Sequence, residues 1–250
     1  MNSTAGTIDE VILALDQIIS EAIKNNDPAG YFAALYRKVT IKVKEGIASG
    51  FFDDGPRMEQ LDVVFANRYL DALSAFRNNL PVTQSWQKAF DLYARKSPIV
   101  LQHLLMGMNA HINLDLGLAT AEVSKNGAIN DLHNDFNRIN EILSSLVHEV
   151  EDDLSAVWPA LKFILKHTGK ADDYLVDFSM QLARDGAWKF AVEYATVTED
   201  QKLQAINRRD IKVAAKTNLI LKPGLAPQLV LWLIRITERG IIAEKIRKMC

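Results

Sequence analysis

Cysteine is almost missing from this chain of 250 residues: Cys250 stands alone. One thiol cannot close a disulfide within the chain or build a cysteine-based metal site, so a reducing, cytoplasmic setting is the expectation. Charge of one sign is missing too. The 29 basic residues nearly balance 31 acidic ones, for a net charge of −2. That balance excludes a nucleic-acid binder driven by phosphate neutralisation. Long apolar runs are absent: near the C-terminus, Leu229 to Ile234 is six residues, ended by Arg235. A membrane span needs roughly 18 to 20, so none is expected. The opening MNSTAGTIDEVILALDQII has no basic segment, and Asp9 and Glu10 sit beside its apolar residues, so it does not read as a secretory signal. Strand signals are scarce; Asn126-Gly127 lies between helical patterns, not between alternating runs.

Helix signals are frequent. Thr7-x-x-Glu10 is a capping box that opens a helix to about residue 23. Asp27-Pro28 opens the next, ending near Gly50. The turn Asp53-Asp54-Gly55-Pro56 precedes a helix over about 57–78, and a shorter helix after Pro81 holds Trp86, Phe90 and Tyr93. Ser97-Pro98 caps a helix over about 98–123, which Asn126-Gly127 ends. A long pattern over about 129–166 has a proline kink at Trp158-Pro159. Helices are predicted over about 172–196, over about 198–221 behind a Thr198-x-x-Gln201 capping box, and over about 226–248. The fold expected is one all-α domain over residues 1–250, about eight or nine helices bundled around the helix at 98–123.

That central stretch, SPIVLQHLLMGMNAHINLDLGLATAEV, is apolar nearly all round, the pattern of a helix buried on every side. It also carries Gln102, His103, Asn109, His111, Asn113 and Asp115. An unpaired buried polar group costs roughly 1–3 kcal/mol, so each needs a partner or a purpose. Gln102, Asn109 and Asn113 fall within about 40° of one another on the helical wheel. This amide stripe suits capture of a neighbouring helix backbone, or recognition of a polar ligand. His111 and Asp115, four apart, share another face. The pair reads in three ways: ligands of a divalent metal such as zinc, a general base oriented by its carboxylate, or a buried structural hydrogen bond. Gly107 and Gly117 leave room for close neighbours.

Further candidates surround that helix in sequence. Asp131 and Asp135 open the next helix, where the dipole favours carboxylates, and antiparallel packing would bring one of them to face His111. Asp135 also sits three residues before Arg138. Arg68 either pairs Asp71 on its own helix or turns inward to an anion. Arg184 lies four residues before Trp188, a spacing at which guanidinium stacks on indole, and a buried Arg184 would seek Asp115, Asp131 or Asp135.

The segments LLMGMNAHINLDLGLA, FANRYLDAL, DFNRIN and ARDGAW together resemble an uncharacterised family of all-helical proteins, a domain of unknown function, over about residues 30–200. Its most specific part is the M-N-A-H-I-N-x-D-L signature, Met108 to Leu116. The resemblance implies a helical single domain and importance for Asn109, His111, Asn113 and Asp115. A slighter resemblance, carried by His111 and Asp115 alone, is to the helical zinc-dependent phospholipases and nucleases; their further histidine ligands have no counterpart here. Two functions are expected from these residues. One is a small-molecule-binding enzyme using acid–base or metal-assisted hydrolysis, with His111, Asp115 and Asp135 catalytic and Arg68, Asn109, Asn113, Asp131, Arg184 and Trp188 around the ligand. The other is a non-enzymatic carrier or interaction module whose polar cluster is a structural network. In either, the amphipathic C-terminal helix with Leu229, Trp232, Leu233 and Ile236 is a candidate homodimer surface.

Overall fold

The Thr7 hydroxyl accepts the Glu10 amide at 3.2 Å, and helix α1 runs Ile8–Asn25 behind it. Glu10 reaches back to the Gly6 amide at 2.6 Å, closing the box one residue early. In the computed structural model, which describes residues 4–124, 128–158 and 180–250, no strand occurs among the described residues. Asp27 Oδ1 accepts the Ala29 amide at 2.9 Å where α2, Ala29–Ala48, begins. Asp54 caps α3, Gly55–Arg77, by accepting the Arg57 amide at 3.0 Å. The short α4, Gln84–Phe90, leads into a single 3₁₀ turn, Asp91–Ala94.

The expected central helix is real but is not one regular helix. It comprises α5, Val100–Ala110, a π-helical turn, His111–Asp115, and α6, Leu116–Val123. The Leu116 amide bonds the His111 carbonyl five residues back. The inserted residue that a π turn accommodates is invisible to a 3.6-residue pattern, and such turns concentrate at functional sites. From Val100 to Ala121 only Leu101, Met108 and Ile112 are partly exposed. Close neighbours explain both glycines. A Cβ at Gly107 would lie 2.5 Å from the Phe32 ring, and one at Gly117 2.8 Å from Phe190.

The chain continues with α7, His133–Val157, α8, Met180–Ala195, and α9, Glu199–Leu221. The predicted cap at Thr198 does not form: its side chain makes no capping bond, and the Gln201 amide reaches the Thr198 carbonyl instead. The last predicted helix is two, α10, Leu225–Thr237, and α11, Ile242–Met249. Glu238 leaves the helix in an extended conformation, and Gly240 turns the chain toward α11 with φ 91°, a left-handed backbone that favours glycine. Leu231 and Ile234 bury the inner face of α10, while Leu229, Trp232, Leu233 and Ile236 are exposed. No described helix is long and apolar enough to cross a membrane. The expected helix end at Asn126-Gly127, the proline of the Pro159 kink, the helix start near Asp172, His167 and the side chain of His148 lie outside the described residues.

Candidate functional site

Helix spacing assembles the surroundings of His111. On α2, Phe32, Tyr36 and Thr40 recur every four residues and form one stripe. On α3, Asp62, Phe65 and Tyr69 do the same at intervals of three and four. The Tyr36 ring lies 5.9 Å from Phe65 and 6.1 Å from Tyr69, so the two stripes face each other. Into that seam the π turn delivers His111. Its imidazole stacks flat on Phe65, 3.6 Å between centroids at 6°. Tyr36 meets it edge-on at 4.7 Å, with Phe32 and Trp86 each at 5.9 Å. His111 is 2% exposed.

One hydrogen bond fixes this ring. His111 Nδ1 donates to Asp115 Oδ2 at 3.1 Å, and the Trp86 indole donates to the same oxygen at 2.8 Å. The carboxylate therefore sets the tautomer with its proton on Nδ1 and leaves the lone pair on Nε2. Burial holds the imidazole below its ordinary pKa, and the hydrogen bond and charge of Asp115 oppose that shift without reversing it. The ring is neutral at pH 7, and Nε2 is a buried base with no hydrogen-bond partner among the described residues.

Four other buried polar atoms nearby share that condition: Tyr36 Oη, Tyr69 Oη, Thr40 Oγ1 and Asp62 Oδ2. Burial, then Glu59, pushes the Asp62 carboxyl up to about 7. Burial raises both phenols, and for Tyr36 the Asp62 and Asp115 charges add to the effect. Native interiors leave few such groups unpaired, and five along one seam is a concentration.

Two buried aspartates hold the helices that carry these side chains. Asp135 accepts the Asp53 and Asp54 amides at 2.7 and 2.8 Å, bracing the start of α3. Asp210 on α9 accepts the Gln84 and Ser85 amides at 2.6 and 2.9 Å, capping α4 and so placing Trp86. Asp135, expected to face His111, is thus directed to the 53–54 turn, with Arg138 at 3.3 Å. Its oxygens are occupied there because two adjacent loop amides hold a carboxylate more strongly than a neutral imidazole does. Asp131 is exposed; its amide donates to the Ala128 carbonyl and its carbonyl accepts Arg57, so its backbone, not its carboxylate, is what these bonds engage.

The amide stripe captures α9. Asn109 donates to the Val213 carbonyl at 3.0 Å and Gln102 to that of Ile220 at 3.3 Å. Asn113 donates to Asn109 Oδ1 at 3.3 Å and accepts Lys216 Nζ at 2.8 Å, while Arg209 reaches the Asn113 carbonyl within the π turn at 2.8 Å. These amides point away from the His111 seam, because one helix cannot present both stripes to one neighbour. Arg68 pairs Glu122 across to α6 at 3.0 Å, and no bond to Asp71 forms. Arg184 is buried, donates to the Phe136 carbonyl and lies 4.4 Å over the Phe136 ring, not over Trp188. Among the described residues no carboxylate pairs with it, and burial brings its guanidinium down to about 9 against the pull of Asp185. Trp188 is partly buried beside Phe136 and His133.

Of the residues expected at one site, the structure brings His111 and Asp115 together, places Arg68 close enough that its charge lowers the imidazole's pKa, directs Asn109, Asn113, Asp135 and Arg184 into bracing roles, and leaves Asp131 and Trp188 apart from the pair. Sequence reading misses Tyr36, Asp62 and Asp210 and places Trp86 on the short helix after Pro81 without bringing it to His111. The available signal is Asp62 on the same stripe as Phe65 and Tyr69, a carboxylate on an apolar face. Metal ligation by both members of the pair meets a geometric objection: Asp115 is turned onto His111 itself. Among the described residues no group of three or more His, Cys, Asp or Glu side chains could hold a metal.

These features define a class: an all-helical protein built around a buried carboxylate–imidazole pair on a π turn. The chain belongs to the family of unknown function DUF5995, whose model matches residues 8–223. No curated protein and no solved structure matches it.

Proposed function

We propose that the His111 seam is an acid–base site for a small polar molecule. The observation that carries this reading is the set of five buried polar atoms without partners along the seam, Nε2 of the imidazole whose tautomer Asp115 has fixed and four from α2 and α3. In this reading Nε2 accepts a proton from a water or hydroxyl held by the Tyr36 and Tyr69 phenols, and Asp115 stabilises the imidazolium that forms. Asp62, neutral over much of the range below pH 7, is the complementary proton donor. Proton transfer of this kind serves hydrolysis of a small substrate. Substrate access requires the α2 or α3 side chains to swing outward, since the seam is closed. A metal-assisted version would place the ion on Nε2 with Asp115 behind the ring, and it has fewer ligands to draw on.

A structural reading fits the amide stripe, where each group is paired with α9, but it leaves the five atoms of the seam unexplained. Native mass spectrometry with elemental analysis separates the two. A small molecule or metal carried by the wild type and lost from a folded His111→Ala variant supports the site. An empty wild type, together with a higher Tm for Tyr36→Phe, returns the seam to a structural role, because deleting an unsatisfied hydroxyl then stabilises by about 1 kcal/mol.

A further inference from the structure

A cleft of about 540 Å³ opens beside His103, two turns before His111 on the same helix. Its floor is aromatic: the His103 ring lies 5.5 Å from that of Tyr31 and 5.9 Å from that of Tyr93. Its rim is basic, with exposed Arg95, Lys96 and Arg235 side chains. Among the lining residues the one carboxylate is Glu238, and it is already committed. Its Oε1 accepts Lys245 Nζ at 2.6 Å and its Oε2 accepts the Val100 amide at 3.1 Å. Neither Arg95 nor Lys96 has an ion-pair partner among the described residues, so the rim keeps uncompensated positive charge. Pro28, Pro98 and Ile241 precede α2, α5 and α11, so three helices begin at this edge. His103 is 6% exposed, and its Nδ1 is buried with no partner.

A basic rim without free carboxylates, an aromatic floor and a buried imidazole with an unpartnered nitrogen fit one kind of ligand. We propose that this cleft binds a small organic anion, a phosphate or carboxylate borne on an aromatic ring. The anionic group lies against Lys96 and Arg235, and the ring lies on Tyr31, Tyr93 and His103. Arg235 is already oriented for this by donating to the Lys96 carbonyl at 2.6 Å. The site is independent of the chemistry assigned to His111.

The test is calorimetric titration of the full chain with phenyl phosphate, benzoate and, as the neutral control, phenol. At least one anion should bind, phenol should be weaker by about tenfold or more, and Lys96→Gln/Arg235→Gln should weaken the anion by about tenfold. Both substituted side chains are exposed, so the double variant should keep its Tm within about 2 °C. The ring ¹⁵N signals of His103 should move on binding while those of His111 stay. Tighter binding of phenyl phosphate or of benzoate supports the site and identifies the preferred head group. The proposal is overturned if neither anion binds at about 10 mM, if phenol binds as well, or if the double variant binds equally.

Discussion

His103 precedes the π turn and His111 lies within it; both are buried, both are driven neutral by burial, and each has a buried ring nitrogen without a partner. They differ in what stands behind the ring and in what faces it. His111 has Asp115 at 3.1 Å, is enclosed by aromatic rings and does not line the basic cleft. His103 has no carboxylate bond, and Lys245 lowers its pKa further, to about 4. It opens on charged side chains. Burial alone therefore does not decide what a histidine is for. In the proposed reading, a fixed tautomer with a free Nε2 serves as a base, whereas an unanchored ring at the floor of a basic cleft serves as a contact surface. Each difference can be tested by removing it.

The largest effect is expected inside the seam, at Asp62. The carboxyl titrates at about 7 in the folded chain against an ordinary 3.8. Between those values the unfolded chain is ionised while the folded chain keeps its proton, so stability falls as pH rises from about 4 to about 7. Three pH units at about 1.4 kcal/mol each amount to about 4 kcal/mol. Asp62→Asn should therefore be more stable than wild type by up to about 4 kcal/mol at pH 8, and the gap should vanish at pH 4. Urea titrations at both pH values measure it. An equal gap at both would mean that the seam compensates this charge, and the contrast with the cleft would weaken.

Next comes Asp115→Ala. It leaves the Trp86 indole and His111 Nδ1 without an acceptor, and each buried orphan costs roughly 1–3 kcal/mol. A loss of about 3 kcal/mol should lower Tm by about 6–12 °C for a chain this long. Lys96→Gln/Arg235→Gln, removing exposed charges at the cleft, should hardly move it. If calorimetry finds the two variants equally mild, the Asp115 bond contributes little and the seam has no special claim.

Much of this architecture is legible in the residues themselves. Apolar residues all round 98–123 require burial, and Thr7, Asp54 and the short loops require a helical bundle. The amide stripe is legible as backbone capture because Gln102, Asn109 and Asn113 share a face. The π turn is not, since one extra residue in a turn leaves no mark on a hydrophobic pattern. Asp135 is misplaced and Asp210 overlooked for a single reason. Each serves amides about 80 and 125 residues away, and a sequence does not show which distant helix start will need an anion. Arg184 misleads differently: spacing puts Trp188 within reach, but tertiary packing puts Phe136 closer.

The smallest effect is the most specific to the cleft. His103 titrates at about 4 when folded against an ordinary 6.5, so the unfolded chain takes up a proton first as pH falls. The stability tied to its neutrality is present above pH 6.5 and is lost progressively down to about 4. At pH 6 that loss amounts to about 1 kcal/mol. The groups against the ring are Tyr31 on α2, Tyr93 in the turn after α4, and Lys245 on α11. Of these, only the lysine is charged in this range, and it opposes protonation. His103→Phe should thus lose about 1 kcal/mol less than wild type between pH 7.5 and 6, by urea titration. His111→Phe should recover less at the same pH, because Asp115 already supports the proton there. Equal recovery by the two variants would show that the carboxylate makes no difference to its histidine, and with it would fall the distinction between a base and a contact surface on one helix.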